Sequence, residues 1–191
     1  MPTTPTHIAL FASGNGSNFE AIAQACADGR LNAQIALLVC DKPDAYVIKR
    51  AEKFNISVFA FRPKEYASKA DYETEIVRLL KEKQVDLICL AGYMRLISDV
   101  LLNAFEGRIV NIHPSLLPAF KGAHAIQDAF DYGVKITGVT THFVDKTLDG
   151  GTIIAQIPIS TEGCTLEELE RKIHAVEHEL YIETIKQLNN I

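Results

Sequence analysis

The chain has 191 residues, of which 48% are hydrophobic and 23% are charged. This composition is typical of a globular protein with a single core. A formal net charge of −5 provides no basic surface for nucleic acid or an anionic membrane. No apolar run reaches the length of a membrane span, and the polar N-terminus lacks a signal-peptide pattern. We therefore expect a cytoplasmic protein with neither nucleic-acid nor membrane partners.

The first structural signal is an apolar strand pattern at residues 7–12, followed by the turn Ser-Gly-Asn-Gly-Ser-Asn and a helical pattern at 19–27. Free backbone N–H groups and the positive end of a helix together attract an anion. The turn therefore predicts a phosphate site formed by Gly16, Ser17 and Asn18. The alternative is an ordinary strand-to-helix turn in which Ser17 or Asn18 is the N-cap.

The same turn raises the possibility of a dinucleotide site. Gly14 and Gly16 fit the start of that fingerprint, and Asp41 ends a second strand pattern at 33–40. However, Phe19 stands where the fingerprint requires a small residue for close packing of the helix on the strand. The polar residues of the turn suit a monophosphate better than a pyrophosphate.

The patterns that follow alternate between helix and strand, which favours a parallel sheet covered on both faces. Towards the C-terminus, an alternating β-branched segment and its partner predict a β-hairpin, and a long amphipathic helix with a capping box follows. We predict an α/β fold with a Rossmann-like, mostly parallel central sheet, flanking helices, a C-terminal β-hairpin and a long helix. The predicted helices are 45–54, 69–83, one ending at 105, 126–132 and 165–188, and the further strands are 56–61, 85–91, 109–112, 135–144 and 151–159.

Asn111 and His113 lie at the end of the strand predicted at 109–112, and Pro114 and Pro118 then prevent regular structure. Alternate residues of a strand point to the same side, so the amide and the imidazole should project together beyond the strand end. An amide can stabilise an oxyanion, and an imidazole can exchange a proton near neutral pH. The pair is therefore a candidate acyl-transfer site, although Asn-x-His alone is also compatible with a purely structural role.

The longer string Asn-Ile-His-Pro-Ser-Leu-Leu-Pro, residues 111–118, resembles the signature of the folate-dependent formyltransferases. Other motifs of that family follow the expected order, from Gly-Asn-Gly-Ser-Asn at 14–18 through Met-Arg-Leu-Ile at 94–97 to Leu-Asp-Gly-Gly at 148–151 and Glu-His at 177–178. The resemblance extends from about residue 8 to about residue 188. It implies one domain over 1–191, with a phosphate-binding half at about 1–100 and a folate-binding, catalytic half at about 90–191.

The resemblance also implies a role for each matching residue. The turn would bind the phosphate of the substrate, and a glutamate of the last helix would bind its ribose hydroxyls. The Asp149 carboxylate would lie against His113 and favour its protonated form. The implied catalytic residues are Asn111, His113 and Asp149, the substrate-binding residues are Gly16, Ser17, Asn18 and Glu177, and the folate-binding residues are Lys69, Met94, Arg95, Leu96, Ile97 and Asn111.

The reaction implied by the resemblance is formyl transfer from 10-formyltetrahydrofolate, as co-substrate, to the amine of phosphoribosylglycinamide in purine biosynthesis. The partners would be these two small molecules, and no metal site is expected because the histidines and cysteines show no ligand spacing. The chain would act as a monomer or a homodimer.

Three alternatives remain open. A related hydrolase removes formyl from the same folate, but we expect it to carry a further N-terminal domain and to have no use for the glycine-rich turn. A formyltransferase that acts on initiator methionyl-tRNA would require a basic RNA-binding domain. A non-catalytic nucleotide-binding module would use the turn and Asp41 but would leave Asn111, His113 and Asp149 without a function.

Overall fold

The computed structural model describes residues 4–189 and contains one seven-stranded sheet with strand order β3-β2-β1-β4-β5-β6-β7. Strands β1 to β5 pair in parallel, whereas β6 runs antiparallel to β5 and β7. The predicted fold class is therefore confirmed. The strands are β1 (Thr6–Ala12), β2 (Ala33–Cys40), β3 (Val58–Ala60), β4 (Leu87–Leu90), β5 (Ile109–His113), β6 (Ile136–Phe143) and β7 (Ile153–Ser160), and the helices are α1 (Ser17–Ala27), α2 (Val47–Lys53), α3 (Lys69–Glu82), α4 (Asp99–Ala104), α5 (Ala125–Tyr132) and α6 (Leu166–Leu188).

The central strands are hydrophobic on both sides because helices cover both faces of the sheet. On β1, Ile8 and Leu10 belong to the core on the side of α1 and α6. Their neighbours Ala9 and Phe11 pack on the opposite side, with Ile76 of α3. The alternation places the two apolar layers around a sheet whose carboxyl edge remains open for a site.

Helix α6 fixes the position of the two strands that lead to the candidate catalytic residues. Thr165 and Glu168 form the expected capping box at its start. Further along, the buried hydroxyl of Tyr181 donates to the carbonyl oxygens of Leu90 and Val110, at 2.9 and 3.1 Å. One phenol therefore joins the end of β4 to β5 at the residue before Asn111.

The structure corrects some local predictions. Neither Ser17 nor Asn18 is the N-cap of α1, because Gly16 takes that position with a positive φ and both residues lie inside the helix. Strand β3 is shorter than predicted, and the 3-10 turn Pro63–Glu65 was not expected. Among residues 4–189, no helix is long and apolar enough to cross a membrane.

Candidate active site

A cleft of about 1030 Å³ opens at the carboxyl edge of the sheet. It is bounded by the loops after β1, β4 and β5, by the β6–β7 connection and by α6. All the residues predicted to form the site line this one cleft, namely Gly16, Ser17, Asn18, Lys69, Met94, Arg95, Leu96, Ile97, Asn111, His113, Asp149 and Glu177. The structure thus brings them together, while their individual roles stay predictions.

The glycine-rich turn has a conformation that depends on Gly16. This residue has φ +79°, and a Cβ added to it would lie 2.4 Å from Val47 Cγ2 and 3.1 Å from Val47 Cα. The Val47 N–H also donates to the carbonyl of Gly14 at 3.1 Å. Helix α2 therefore packs directly on the turn, which leaves no room for a side chain at Gly16.

Arg50 of α2 fixes the next part of the turn. Its guanidinium donates to the side-chain oxygen of Asn15 at 2.8 Å and to the Asn15 carbonyl at 2.9 Å. The same guanidinium is paired with Glu20 of α1. The turn and the first residues of α1 are thereby held by a group outside the cleft, which leaves the N–H groups at the helix start available for a ligand.

Two polar groups at this end of the cleft have properties expected of ligand contacts. Within residues 4–189, the buried Oδ1 of Asn18 has no hydrogen-bond partner. Across the cleft, the nearly buried Glu177 accepts a 2.7 Å hydrogen bond from Nδ1 of His174. This hydrogen bond raises the pKa of His174, against the opposing effect of burial. An amide and a carboxylate thus face the space in front of the turn.

The segment after β4 forms an apolar wall on the other side of Asn111. Met94 and Leu96 are 65% and 62% exposed, although both are large and hydrophobic. Exposed apolar groups beside polar backbone are suited to a flat heteroaromatic ring. Lys69, the first residue of α3, also lines the cleft, and its ammonium lies 3.9 Å from the buried carboxylate of Glu73.

The amide of Asn111 is oriented by His142, which lies opposite it on β6. His142 Nδ1 lies 2.8 Å from the carbonyl oxygen of Phe143, which can only accept, so this nitrogen carries the proton. In the neutral ring Nε2 is then an acceptor, and Asn111 Nδ2 donates to it at 3.1 Å. Burial lowers the pKa of His142 and so favours this neutral form.

His113 lies between a carbonyl and a carboxylate. Its Nε2 donates to the Phe120 carbonyl at 2.8 Å, and its Nδ1 lies 3.7 Å from Oδ2 of Asp149. The same carboxylate oxygen accepts a 2.9 Å hydrogen bond from the Gly122 N–H. Asp149 therefore links the loop after β5 to the β6–β7 connection, and it lies where it can stabilise a positive imidazolium.

Both residues that contact His113 have unusual backbone conformations. Phe120 has φ +51° and Asp149 has φ +47°, in the left-handed region that non-glycine residues rarely adopt. Strained backbone of this kind persists where the surrounding structure enforces it, commonly at functional sites. Here it aims the Phe120 carbonyl and the Asp149 carboxylate at the same ring.

Sequence reasoning did not assign a role to His142, although its side chain contacts Asn111. The pairing of Asn111 with His142 across antiparallel strands was the missing information. Local strand patterns do not specify this pairing, because α5 separates β5 from β6 along the chain. Among residues 4–189, no cluster of three or more His, Cys, Asp or Glu residues could hold a metal ion.

Comparison with known proteins was made by family, by sequence and by structure. The model of the family described as "Formyl transferase" matches residues 6–185. Phosphoribosylglycinamide formyltransferase of Bacillus subtilis (strain 168) is 56% identical over 94% of this chain and 93% of its own length. The crystal structure of phosphoribosylglycinamide formyltransferase from Bacillus halodurans has a TM-score of 0.92 at 55% identity, covering 96% of this chain and 95% of that one.

Glycinamide ribonucleotide transformylase 1 from Geobacillus kaustophilus is similar to the same degree. Its structure has a TM-score of 0.93 at 54% identity and covers 96% of this chain and 98% of its own. The matches in sequence and structure cover nearly the whole chain, and the residues matched by the family model span the cleft. The chain belongs to the formyl transferase family.

Proposed function

We propose that this chain transfers the formyl group of 10-formyltetrahydrofolate to the amine of phosphoribosylglycinamide in purine biosynthesis. The observation that carries the proposal is that one cleft is lined by Asn111 and His113 and by two unlike segments. These are the glycine-rich turn, which suits an anion, and the apolar segment 94–97. A phosphorylated amine and a folate could thus meet over the same two side chains.

The substrate would be bound by its phosphate and its ribose. Gly16, Ser17 and Asn18 lie at the positive end of α1, which suits a phosphate in a chain of net negative charge. Glu177 can accept hydrogen bonds from ribose hydroxyls, and His174 fixes the orientation of its carboxylate. The substrate amine would then extend towards Asn111.

The formyl donor would be bound by segment 94–97, with its ring on Met94 and Leu96. The backbone groups of Arg95 and Ile97 would hold the polar edge of the pterin, and Lys69 would contribute a positive charge at the mouth of the cleft. Burying a flat ring on this segment would also remove the exposed apolar surface from water. The formyl carbon would be placed next to Asn111.

In the reaction, the amine attacks the formyl carbon and the carbonyl oxygen becomes an oxyanion. Asn111 donates to this oxyanion, and His142 keeps the Asn111 amide in place. The Nδ1 of protonated His113 is too far from Asp149 for a hydrogen bond, so its N–H can also donate to the oxyanion. The amine then loses a proton, the folate nitrogen gains one, and the carbon–nitrogen bond to the folate breaks.

The Asp149 carboxylate, 3.7 Å from His113 Nδ1, would stabilise positive charge on the ring while the oxyanion forms. Direct attack of the amine on the formyl carbon needs no covalent enzyme intermediate and no metal. We expect the chain to act in the cytoplasm, as a monomer or a homodimer.

The hydrolase alternative uses the same donor but replaces the amine by water. A hydrolase would have no use for the glycine-rich turn or for Glu177, because water has neither a phosphate nor a ribose. The dinucleotide module fits less well, because both carboxylate oxygens of Asp41 already accept hydrogen bonds within the protein. Its ribose-binding group would therefore not be available.

The proposed function is tested by following tetrahydrofolate formation by the purified chain with and without phosphoribosylglycinamide. We expect formation only when the amine substrate is present, with one formylated product for each tetrahydrofolate. The control is the same ribosylglycinamide without its phosphate, which should react poorly at equal concentration. Tetrahydrofolate release independent of the amine would instead assign a hydrolase.

A further inference from the structure

Asp41 is a buried carboxylate that the reaction does not use. It follows β2, and its side chain is only 1% exposed. Its Oδ1 accepts a 2.5 Å hydrogen bond from the Ser13 hydroxyl, and its Oδ2 accepts a 2.7 Å hydrogen bond from Nε of Arg95. A buried charge of this kind is tolerated only when it is well paired.

Both partners of Asp41 lead to the segment proposed to bind folate. The Ser13 hydroxyl that donates to Asp41 also accepts a 2.9 Å hydrogen bond from the Met94 N–H. The next residue of the segment, Arg95, contacts Asp41 directly. The Asp41 carboxylate therefore holds two consecutive residues. It holds the Met94 backbone through Ser13, and it holds the Arg95 side chain directly.

The segment needs such support because it is irregular and lies on the surface. Residues 94–97 form neither helix nor strand, and two of their apolar side chains are exposed. The far end of the segment is held by a second buried carboxylate, since Glu73 accepts a 3.1 Å hydrogen bond from the Ser98 N–H. The position of the other end of the segment, at Met94 and Arg95, depends on Asp41 and Ser13.

We propose that Asp41 is a positioning residue for the formyl donor, acting through Ser13 and Arg95 on segment 94–97. This inference rests on the proposed function and adds to it. A dinucleotide site would use the carboxylate at the end of β2 to bind a ribose. In this chain the same carboxylate fixes the position of segment 94–97, on which the pterin lies.

The test is Asp41→Asn, which keeps the shape of the side chain. The amide still offers an oxygen to Ser13, but it presents an N–H group to Arg95 and so breaks the ion pair. We expect the KM for 10-formyltetrahydrofolate, and the Kd of a non-reactive folate analogue measured by calorimetry, to rise about tenfold. The kcat and the KM for phosphoribosylglycinamide should stay within about twofold.

The matched control is Asp44→Asn, which makes the same change in charge on the same loop. Asp44 is exposed and pairs with Arg62, outside the proposed path. The Asp44→Asn variant should therefore bind the folate analogue with an unchanged Kd. A merely structural role for Asp41 would instead lower thermal stability and weaken both ligands alike, and that outcome would overturn the proposal.

A double-mutant cycle asks whether Asp41 acts through its partner. In an Arg95→Met background, Asp41→Asn should weaken the folate analogue by less than twofold further. If the two substitutions weakened analogue binding in a fully additive way, Asp41 would not act through Arg95. If Asp41→Asn does not fold, Ser13→Ala gives a second test. It removes the hydroxyl that joins Asp41 to the Met94 N–H, so it should also weaken the analogue.

The analogue is bound without turnover, so this test is independent of the proposed reaction. A wild-type chain that binds the analogue but transfers no formyl group would contradict the proposed function and leave the role of Asp41 open to measurement. Unchanged analogue binding in both Asp41→Asn and Ser13→Ala would overturn the inference, whatever the activity.

Discussion

At the scale of single residues, the orientation of the Asn111 amide depends on the protonation state of His142. The neutral ring accepts from Asn111 through Nε2, whereas a protonated ring would present a second donor to the same amide. Burial lowers the pKa of His142, and this has a function because the neutral ring keeps Nε2 as the acceptor for the Asn111 amide. The charge needed by the oxyanion is left to His113.

This arrangement predicts a specific pH dependence. Because the pKa of folded His142 lies below the ordinary value of 6.5, the ring contributes stability above pH 6.5 that is lost as the pH falls towards the lowered value. Asn111 should lose its acceptor only as the pH falls through the lowered pKa of the folded ring. We expect NMR titration of the His142 ring, assigned with His142→Asn, to give a midpoint below 6.5. A midpoint at or above 6.5 would contradict the neutral acceptor.

The residues that sequence reasoning identified were those that lie in continuous motifs. Asn111 and His113 share one predicted strand end, which indicated them as a pair. Asp149 lies in a short turn motif, and its role was indicated by the resemblance. Their partners were not accessible in this way. The Phe120 carbonyl and the Gly122 N–H are backbone groups, and their positions depend on a loop path that residue type does not specify.

At the scale of elements, the phosphate turn depends on the packing of α2 against it. Gly16 combines a positive φ with a contact to Val47 that excludes any side chain. The sequence predicted the turn as a phosphate site, and the alternative was a helix capped by the side chain of Ser17 or Asn18. That cap is wrong, because Gly16 starts the helix with no side-chain hydrogen bond.

Substitution of this glycine separates affinity for the two ligands. Gly16→Ala should shift the turn away from Val47 and raise the KM for phosphoribosylglycinamide by at least about tenfold, while folate-analogue binding stays nearly intact. Gly29→Ala is the matched control, because Gly29 has φ +77° but nothing within 4 Å of an added Cβ. It should cost about 1 kcal/mol of stability without changing either ligand. Equal losses for both ligands in Gly16→Ala would count against the assignment.

At the scale of the whole molecule, the site exists because separate stretches of the chain end at one edge of the sheet. The alternation of helices and strands was sufficient to predict a parallel sheet and hence a cleft at its carboxyl edge. The antiparallel pairing of β6 with β7 was also foreseen, as a hairpin, whereas the antiparallel pairing of β6 with β5 was not. The sequence could not provide the register that places His142 beside Asn111, because pairing between strands depends on contacts that are distant in sequence.

Helix α6 contributes to both the core and the cleft. Its Tyr181 joins the end of β4 to β5, and its Glu177 lines the same cleft as the glycine-rich turn. The capping box and periodicity predicted the helix well. The position of Glu177 relative to Gly16 depended on the packing of α6 against α1, which local patterns do not specify.

The central claim is that Asn111 and His113 stabilise the same oxyanion. Its most direct test is the single-turnover rate of formyl transfer in Asn111→Ala, His113→Ala and the double variant, each checked for a native unfolding transition. Each single change should lower the rate by about 10²–10³, the typical loss for one oxyanion donor. The double variant should lose less than the product of the two, because both groups act on one transition state. A His113→Ala variant that transfers formyl at nearly the wild-type rate would contradict the account.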